Sequence, residues 1–199
     1  MDLILVTAPT DEPVTHDDLM TQMRIGSSDL IESTDYLDAL ITATRETAEN
    51  VCRRAFITQQ WALYLDQFPY GNKAIIIPRP TLQRIDSITY LDTAGVQQTL
   101  APSAFVTSVG REPAIIVPAY GTSWPAALNM PGSVKITFTA GYGDTAADVP
   151  QSIRQWILMN AAALYENREA VSFVPGSISK IDAQTVADAL LASHRVITF

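Results

Sequence analysis

The stretch from Phe138 to Glu169 constrains the fold most: Phe138-Thr139-Ala140 reads as the end of a strand, Gly141-Tyr142-Gly143 as a glycine turn, and Asp148-Val149-Pro150 as the entry to a helix that runs to Leu164-Tyr165-Glu166-Asn167-Arg168-Glu169. Asp148 with Gln151 three positions on has the spacing of a capping box, and Pro150 suits a first turn, where its missing N–H has no intrahelical partner to lose. The helix is apolar nearly all the way round its middle. Ile153, Ile157, Ala161 and Leu164 line one face, while Trp156, Met159 and Ala163 line another, so one core-facing stripe cannot account for both. Another helix of the same chain or a neighbouring subunit must cover the second face.

Of the 199 residues, 47% are hydrophobic and only 17% charged, which excludes a largely disordered chain. A formal charge of −8 excludes a generic electrostatic grip on nucleic acid, because phosphate binding is driven by Lys and Arg. Lys73, Lys135 and Lys180 are the only lysines among 13 basic residues. That arginine bias suits protein interfaces, where the guanidinium fork is preorganised, and it equally suits GC-rich coding. A lone Cys52 leaves no internal disulfide and reads as a small core residue on a helix. The leading Met1-Asp2-Leu3-Ile4-Leu5-Val6 has no basic flank and makes a poor secretion signal, and no run approaches the roughly 18 apolar residues of a membrane span. We therefore expect no membrane association.

Thr15 with Asp18 predicts a capped short helix to about Met23, and Leu37, Leu40, Ile41, Thr44, Ala48, Val51 and Cys52 predict a longer one to about Arg54, capped by Ser33 or Thr34. Arg53 and Arg54 would complement the macrodipole in its last turn. From Ile57 the period changes to alternation, with Trp61, Leu63 and Leu65 on one face. Further strands are predicted at Ala74–Ile77, around a hairpin at Asp92-Thr93-Ala94-Gly95, and at Phe105–Ser108, Ala114–Val117 and Ser133–Thr139. The Pro118–Gly132 loop carries Tyr120 and Trp124, which either cover the end of the β region or face a partner. Val174-Pro175-Gly176-Ser177 reads as a linker before a short helical pattern at Val186, Leu190 and Leu191, and the chain closes on an apolar, adhesive His194-Arg195-Val196-Ile197-Thr198-Phe199 that could also pack back on its own domain.

The fold class expected is α+β: a helical body of three to four helices with an inserted small antiparallel β sandwich or barrel-like region. The divisions are 1–56 (N-terminal helical part), 57–143 (β insertion), 144–172 (C-terminal helix of the body) and 173–199 (linker and tail). Catalytic chemistry has no positive signal. His16 and His194 lack ligand-spaced partners, there is no Gly-x-Ser-x-Gly elbow, and Gly141 and Gly143 lack the third glycine or lysine of a phosphate loop. Glu166 and Glu169 form the one carboxylate pair to weigh for hydrolysis, and an exposed charged helix face explains them better. No enzyme activity, cofactor or metal is expected.

Taken in order, these segments resemble the head–tail connector (adaptor, or head-completion) proteins of long-tailed phages and phage-like gene-transfer particles. The resemblance rests on Phe138–Gly143, Val149-Pro150, Ile153-Arg154-Gln155 and Leu164–Glu169. It is joined by Glu12–Thr15 with Leu19 and Arg24-Ile25, by Pro80–Gln83 with Ile85, Ser87-Ile88 and Tyr90, and by Ala189–Leu191 with Arg195-Val196. The loop at Gly26-Ser27-Ser28 and the segment from Phe173 to Lys180 depart from it. The resemblance implies a structural subunit in a homo-oligomeric, dodecameric ring beneath the portal protein, assembled in the host cytoplasm and located in the virion neck, with DNA passing through unbound. It further implies portal binding by Leu190, Leu191, Arg195, Val196, Ile197 and Phe199; contact with sister subunits through Arg154, Trp156, Met159, Ala163 and Arg168; and contact with a neck or tail-side protein through Tyr120 and Trp124. A tail-terminator or other neck protein, or a carboxylate-based virion hydrolase, are the alternatives.

Overall fold

A computed structural model describes residues 1–26, 33–167 and 189–196. The chain is α+β, and its described residues fall into a β unit (1–10, 53–144 and Val196) and a helical unit (11–26, 33–52, 145–167 and 189–195).

Among the described residues the β unit holds eight strands: β1 (Asp2–Thr7), β2 (Gln59–Leu65), β3 (Ile75–Ile76), β4 (Leu82–Leu91), β5 (Gln97–Thr99), β6 (Phe105–Ser108), β7 (Ile115–Pro118) and β8 (Val134–Ala140). They form two antiparallel sheets, ordered β1-β2-β8-β4-β5 and β3-β7-β6. Alternation in β2 and β8 puts Trp61 opposite Phe138 and Leu63 opposite Ile136, so their large side chains share a face. In β4 the inward residues Leu82, Ile85 and Ile88 are three apart, a spacing a regular strand would send to opposite faces. Register shifts between Leu82 and Arg84 and between Ile85 and Ser87 each absorb one residue, and all three meet β8 at Ala140, Phe138 and Ile136. The second sheet supplies Ile75 and Ile116, and one buried core runs through both sheets.

Residues 2–7, which sequence pattern grouped with the N-terminal helical part, are an edge strand of this unit, paired among the described residues on one side only, to β2. The turn after β8 depends on a missing side chain. Gly141 has φ +142°, and a Cβ there would lie 2.6 Å from the Ile57 carbonyl carbon and the Thr58 nitrogen. That approach lets the Thr58 N–H donate to the Gly143 carbonyl at 2.9 Å and the Tyr142 N–H to the Phe56 carbonyl at 2.9 Å.

The helical unit contains α1 (His16–Met23), α2 (Thr34–Cys52) and α3 (Gln151–Glu166), and residues 189–192 are also helical. The predicted capping box of α1 is present: the Asp18 N–H donates to Thr15 Oγ1 at 3.1 Å, and the Thr15 N–H to Asp18 Oδ2 at 3.0 Å. Two local expectations are corrected. Asp148 does not cap α3; it caps the preceding 3₁₀ turn Ala146–Asp148 through Thr145, and Pro150 is the N-cap of α3 with no side-chain cap bond. Thr145 reaches the same carboxylate three residues earlier and takes it first. Helix α2 stops at Cys52, because Arg53 takes a left-handed φ of +55°, so neither Arg53 nor Arg54 lies in its last turn.

Candidate functional site

Helix α3 carries charge only at Arg154 and Glu166. Its buried positions are Ile153, Trp156, Ile157 and Ala161, packed against α1 and α2 of the same unit. Trp156 is 6% exposed, and its indole N–H has no hydrogen-bond partner among the described residues. Arg154 is tied inward: its Nε donates to the Pro13 carbonyl at 2.9 Å and its Nη1 to Gln151 Oε1 at 3.3 Å. The outward surface consists of half-buried Leu158, Met159 and Ala162 with exposed Ala163 and Leu164. Leu164 follows Ile157 and Ala161 in helical spacing yet is 47% exposed, so the buried stripe ends one turn early. Arg168 lies outside the described residues.

Among the C-terminal candidates, Leu191 is fully buried, Leu190 and Val196 are half-buried, and Arg195 is exposed. His194 anchors the segment through a hydrogen bond between its Nε2 and Ser152 Oγ at 2.8 Å. Ile197 and Phe199 lie outside the described residues, as do Glu169 and the linker from Phe173 to Lys180. Glu166 is exposed.

On the β unit, the two loop aromatics part company. Trp124 is buried, stacked on Phe68 with ring centroids 5.1 Å apart, and its Nε1–H donates to the Lys73 carbonyl at 3.0 Å. A loop residue is thereby recruited as a lid on the core. Tyr120 is wholly exposed, and Tyr70 is 78% exposed on a neighbouring turn. Asn72 Nδ2 donates to the Thr122 carbonyl at 3.2 Å and joins the two segments. Edge strand β1 exposes Ile4, Leu5 and Val6, and among the described residues no strand pairs with its outer side.

Polar networks brace each unit. Arg54 forms a bidentate pair with Glu112, Nη1 to Oε1 at 2.8 Å and Nη2 to Oε2 at 2.6 Å, while the Thr81 hydroxyl donates to Oε1 at 3.0 Å. In the helical unit buried Arg45 donates to Glu12 at 2.8 Å and to Glu49 at 2.9 Å. At the β4–β5 turn, the Gln98 side chain and then the Val96 N–H hold the Asp92 carboxyl below its ordinary pKa. The Asp148 carboxyl is lowered by the Thr145 N–H and hydroxyl. Among the described residues, no cluster of three or more His, Cys, Asp and Glu could hold a metal ion, and no helix is long and apolar enough to cross a membrane.

This fold recurs in solved particle structures. A chain in the virion of a native gene transfer agent particle superposes with a TM-score of 0.79 at 22% identity, over 100% of this chain and 97% of that one. A chain in the neck of an empty gene transfer agent particle, computed with C6 symmetry, gives 0.80 at 22% identity over the same shares. One in the neck of a native particle, computed with C12 symmetry, gives 0.66 at 23%, again over 100% and 97%. No protein-family profile and no curated protein matches the chain.

Sequence reasoning missed three parts of these surfaces. The run Leu3–Val6 looked like a failed leader because a strand exposed on both faces shows no alternation to detect. Tyr70 sits in Phe68-Pro69-Tyr70-Gly71-Asn72, whose turn residues were a usable signal. The Arg54–Glu112 pair spans 58 positions, and no local pattern announces it.

Proposed function

We propose that the chain is a structural, non-catalytic subunit of the neck of a phage-like or gene-transfer particle: a head–tail connector that forms a ring beneath the portal. The observation carrying this reading is the end-to-end superposition, 100% of this chain on 97% of the matched ones at TM-scores of 0.79 and 0.80, onto chains of gene transfer agent particles, one of them in the neck. A domain borrowed for other work would match in part; here both units are retained together. The C12 symmetry of one such neck fits a dodecameric ring.

Within that reading, sister subunits meet through the outward surface of α3, at Met159 and Ala163 beside Leu158 and Leu164, whose lack of charge suits close packing. Trp156 and Leu191, buried within the subunit, support those surfaces from beneath, and Trp124 does the same for the exposed Tyr120 that faces the tail side. The C-terminal segment with Leu190, Arg195, Val196, Ile197 and Phe199 reaches the portal. An acidic ring lets DNA pass without holding it, since binding would require cationic neutralisation of phosphates.

The test is deletion of Ile197–Phe199 combined with Arg195→Glu, which spares buried Leu191 and the His194–Ser152 hydrogen bond, followed by portal pull-down and by reconstruction of particles. Binding should be lost while circular dichroism of the body is retained, and the full chain should occupy a ring between portal and tail. Retained portal binding, or density elsewhere in the particle, would overturn the assignment.

A further inference from the structure

The outer face of the five-stranded sheet, turned away from the core, carries a cleft of about 350 Å³. Ile136 and Phe138 of β8 are fully buried in that core, so Lys135 and Thr137, which alternate with them, stand on the other face. Antiparallel register places Lys135 between Tyr64 of β2 and Thr89 of β4, and Thr137 between Ala62 and Ser87. Directly opposed residues hold their Cβ atoms about 4.5–5.5 Å apart, so an ammonium and the hydroxyls of Ser87, Thr89 and Thr137 share one small patch. These four residues line the cleft, and all are half-buried.

Among the described residues these groups are uncommitted. Lys135 enters no ion pair there, and its Nζ rests over the Tyr64 ring, 5.9 Å from the centroid. No hydrogen bond among the described residues uses the Ser87, Thr89 or Thr137 hydroxyl. The carboxylates beside the cleft are engaged elsewhere. Asp66 accepts from the Gly132 N–H at 3.2 Å, Asp86 from Arg84, Gln60 and Thr139, and Asp92 from the Ala94 and Val96 N–H groups. Arg24, Lys73 and Arg111 also lack an ion pair among the described residues, but they are exposed, where water solvates the charge. Half-burial of Lys135 removes water from its ammonium without supplying an anion, which is unfavourable until one arrives.

We propose that this face docks an extended acidic segment of a partner protein: a Glu or Asp carboxylate pairs with Lys135 Nζ and accepts from the Thr89 hydroxyl. The Thr137 and Ser87 hydroxyls bind the polar side chain two residues along the segment. An extended guest repeats its side chains on one face every 6.6–6.8 Å or so, about two strand rises, the same interval that separates Lys135 from Thr137 on β8. Hydrogen bonds from an ammonium and a hydroxyl to a carboxylate are charge-assisted, the stronger class, and supply the selectivity. Charge also decides the class of guest. Nucleic acid binding needs several cations, whereas Lys135 is the one cation lining this cleft, on a chain of formal charge −8. A second copy would bring its own −8 against the first at long range. The site does not depend on the connector reading, because it is measured on the isolated chain.

The experiment titrates the isotope-labelled full-length chain with the end-blocked peptide Val-Glu-Val-Ser-Val, or with its Gln-for-Glu counterpart, and follows backbone amides by NMR. Amides of residues 87–89 and 135–137 should shift with a Kd of about 1 mM or tighter, and the Gln peptide should bind about tenfold more weakly. Lys135→Gln should bring both peptides to the weaker value and leave the rest of the spectrum in place. Thr89→Val should weaken the Glu peptide alone. Should Lys135→Gln fail to fold, the comparison of the two peptides on the wild type still decides. No shift at about 10 mM peptide, or equal binding of the two, would overturn the carboxylate site. Comparable shifts of the same amides with a short single-stranded oligothymidine would overturn the protein guest in favour of nucleic acid. Shifts that grow with protein concentration alone, and vanish in Lys135→Gln, would overturn the outside partner in favour of a second copy. Failure of the connector reading would appear as absent portal binding and would leave these shifts unchanged.

Discussion

Replacing Gly141 by alanine tests the packing logic of the β unit at one atom. The new Cβ would lie 2.6 Å from the Ile57 carbonyl carbon and the Thr58 nitrogen and 2.7 Å from the Ile57 oxygen, all backbone atoms with no rotamer to move. Reaching ordinary contact requires the two segments to separate by roughly 0.8 Å. That displacement falls on the Thr58-to-Gly143 and Tyr142-to-Phe56 hydrogen bonds, each 2.9 Å long. Two weakened bonds at about 1 kcal/mol each, with about 1–3 kcal/mol for overpacking, give a loss of about 3–5 kcal/mol. For a chain of this size, about 2–4 °C is lost per kcal/mol, so Tm should fall by at least about 6 °C. Differential scanning calorimetry would measure it. Gly121→Ala is the control, because Gly121 also has positive φ (+75°) but nothing among the described residues within 4 Å of an added Cβ, so only about 1–2 kcal/mol of backbone strain applies. A Gly141→Ala protein that melts within about 1 °C of wild type, or no lower than Gly121→Ala, would refute the close-approach argument.

Three further outcomes follow from the same geometry. Trp124→Ala should destabilise the β unit by about 3–5 kcal/mol in denaturant unfolding, as expected for a buried indole, whereas Tyr120→Ala should shift the midpoint by under about 0.5 kcal/mol. Arg54→Met removes both guanidinium bonds from a Glu112 carboxylate that keeps 40% side-chain exposure and the Thr81 hydroxyl donor; the cost should be about 1–3 kcal/mol, below the full value for a buried pair, and adding Glu112→Gln should recover part of it. The lowered pKa values of Asp92 and Asp148 mean the folded state binds the proton less readily than the unfolded one. Their stabilisation is therefore present above the ordinary carboxylate pKa of about 4 and lost as pH falls through the lower folded values, so Asp92→Asn should flatten the acid limb of a Tm-against-pH curve.

Elements specified by neighbours in the chain were legible without coordinates. Thr15 and Asp18 are three residues apart, so their capping box is a property of the local string, and the same holds for the turn at Asp92–Gly95, where the Asp92 carboxylate accepts from the Ala94 and Val96 N–H groups at 2.9 and 3.0 Å. Strands Phe105–Ser108 and Val134–Ala140 were equally readable from apolar runs between turn residues. These features, together with the change from helical to alternating period at Ile57, determined the α+β class.

Tertiary structure decided what depended on distant partners. Whether Asp2–Thr7 is a strand is settled by pairing with β2, some sixty positions away, which supplies the ladder its own side chains do not announce. Trp124 enters the core because Phe68 and the Lys73 carbonyl wait there, whereas Tyr120, four residues earlier in the same loop, stays in solvent. Trp156 is covered by helices of its own unit, which leaves the outer surface of α3 to Met159, Ala163 and Leu164. Local strings specify dihedrals and caps because the interacting groups are a few bonds apart; which apolar side chains remain for a partner is a property of surfaces that exist only after the chain has closed on itself.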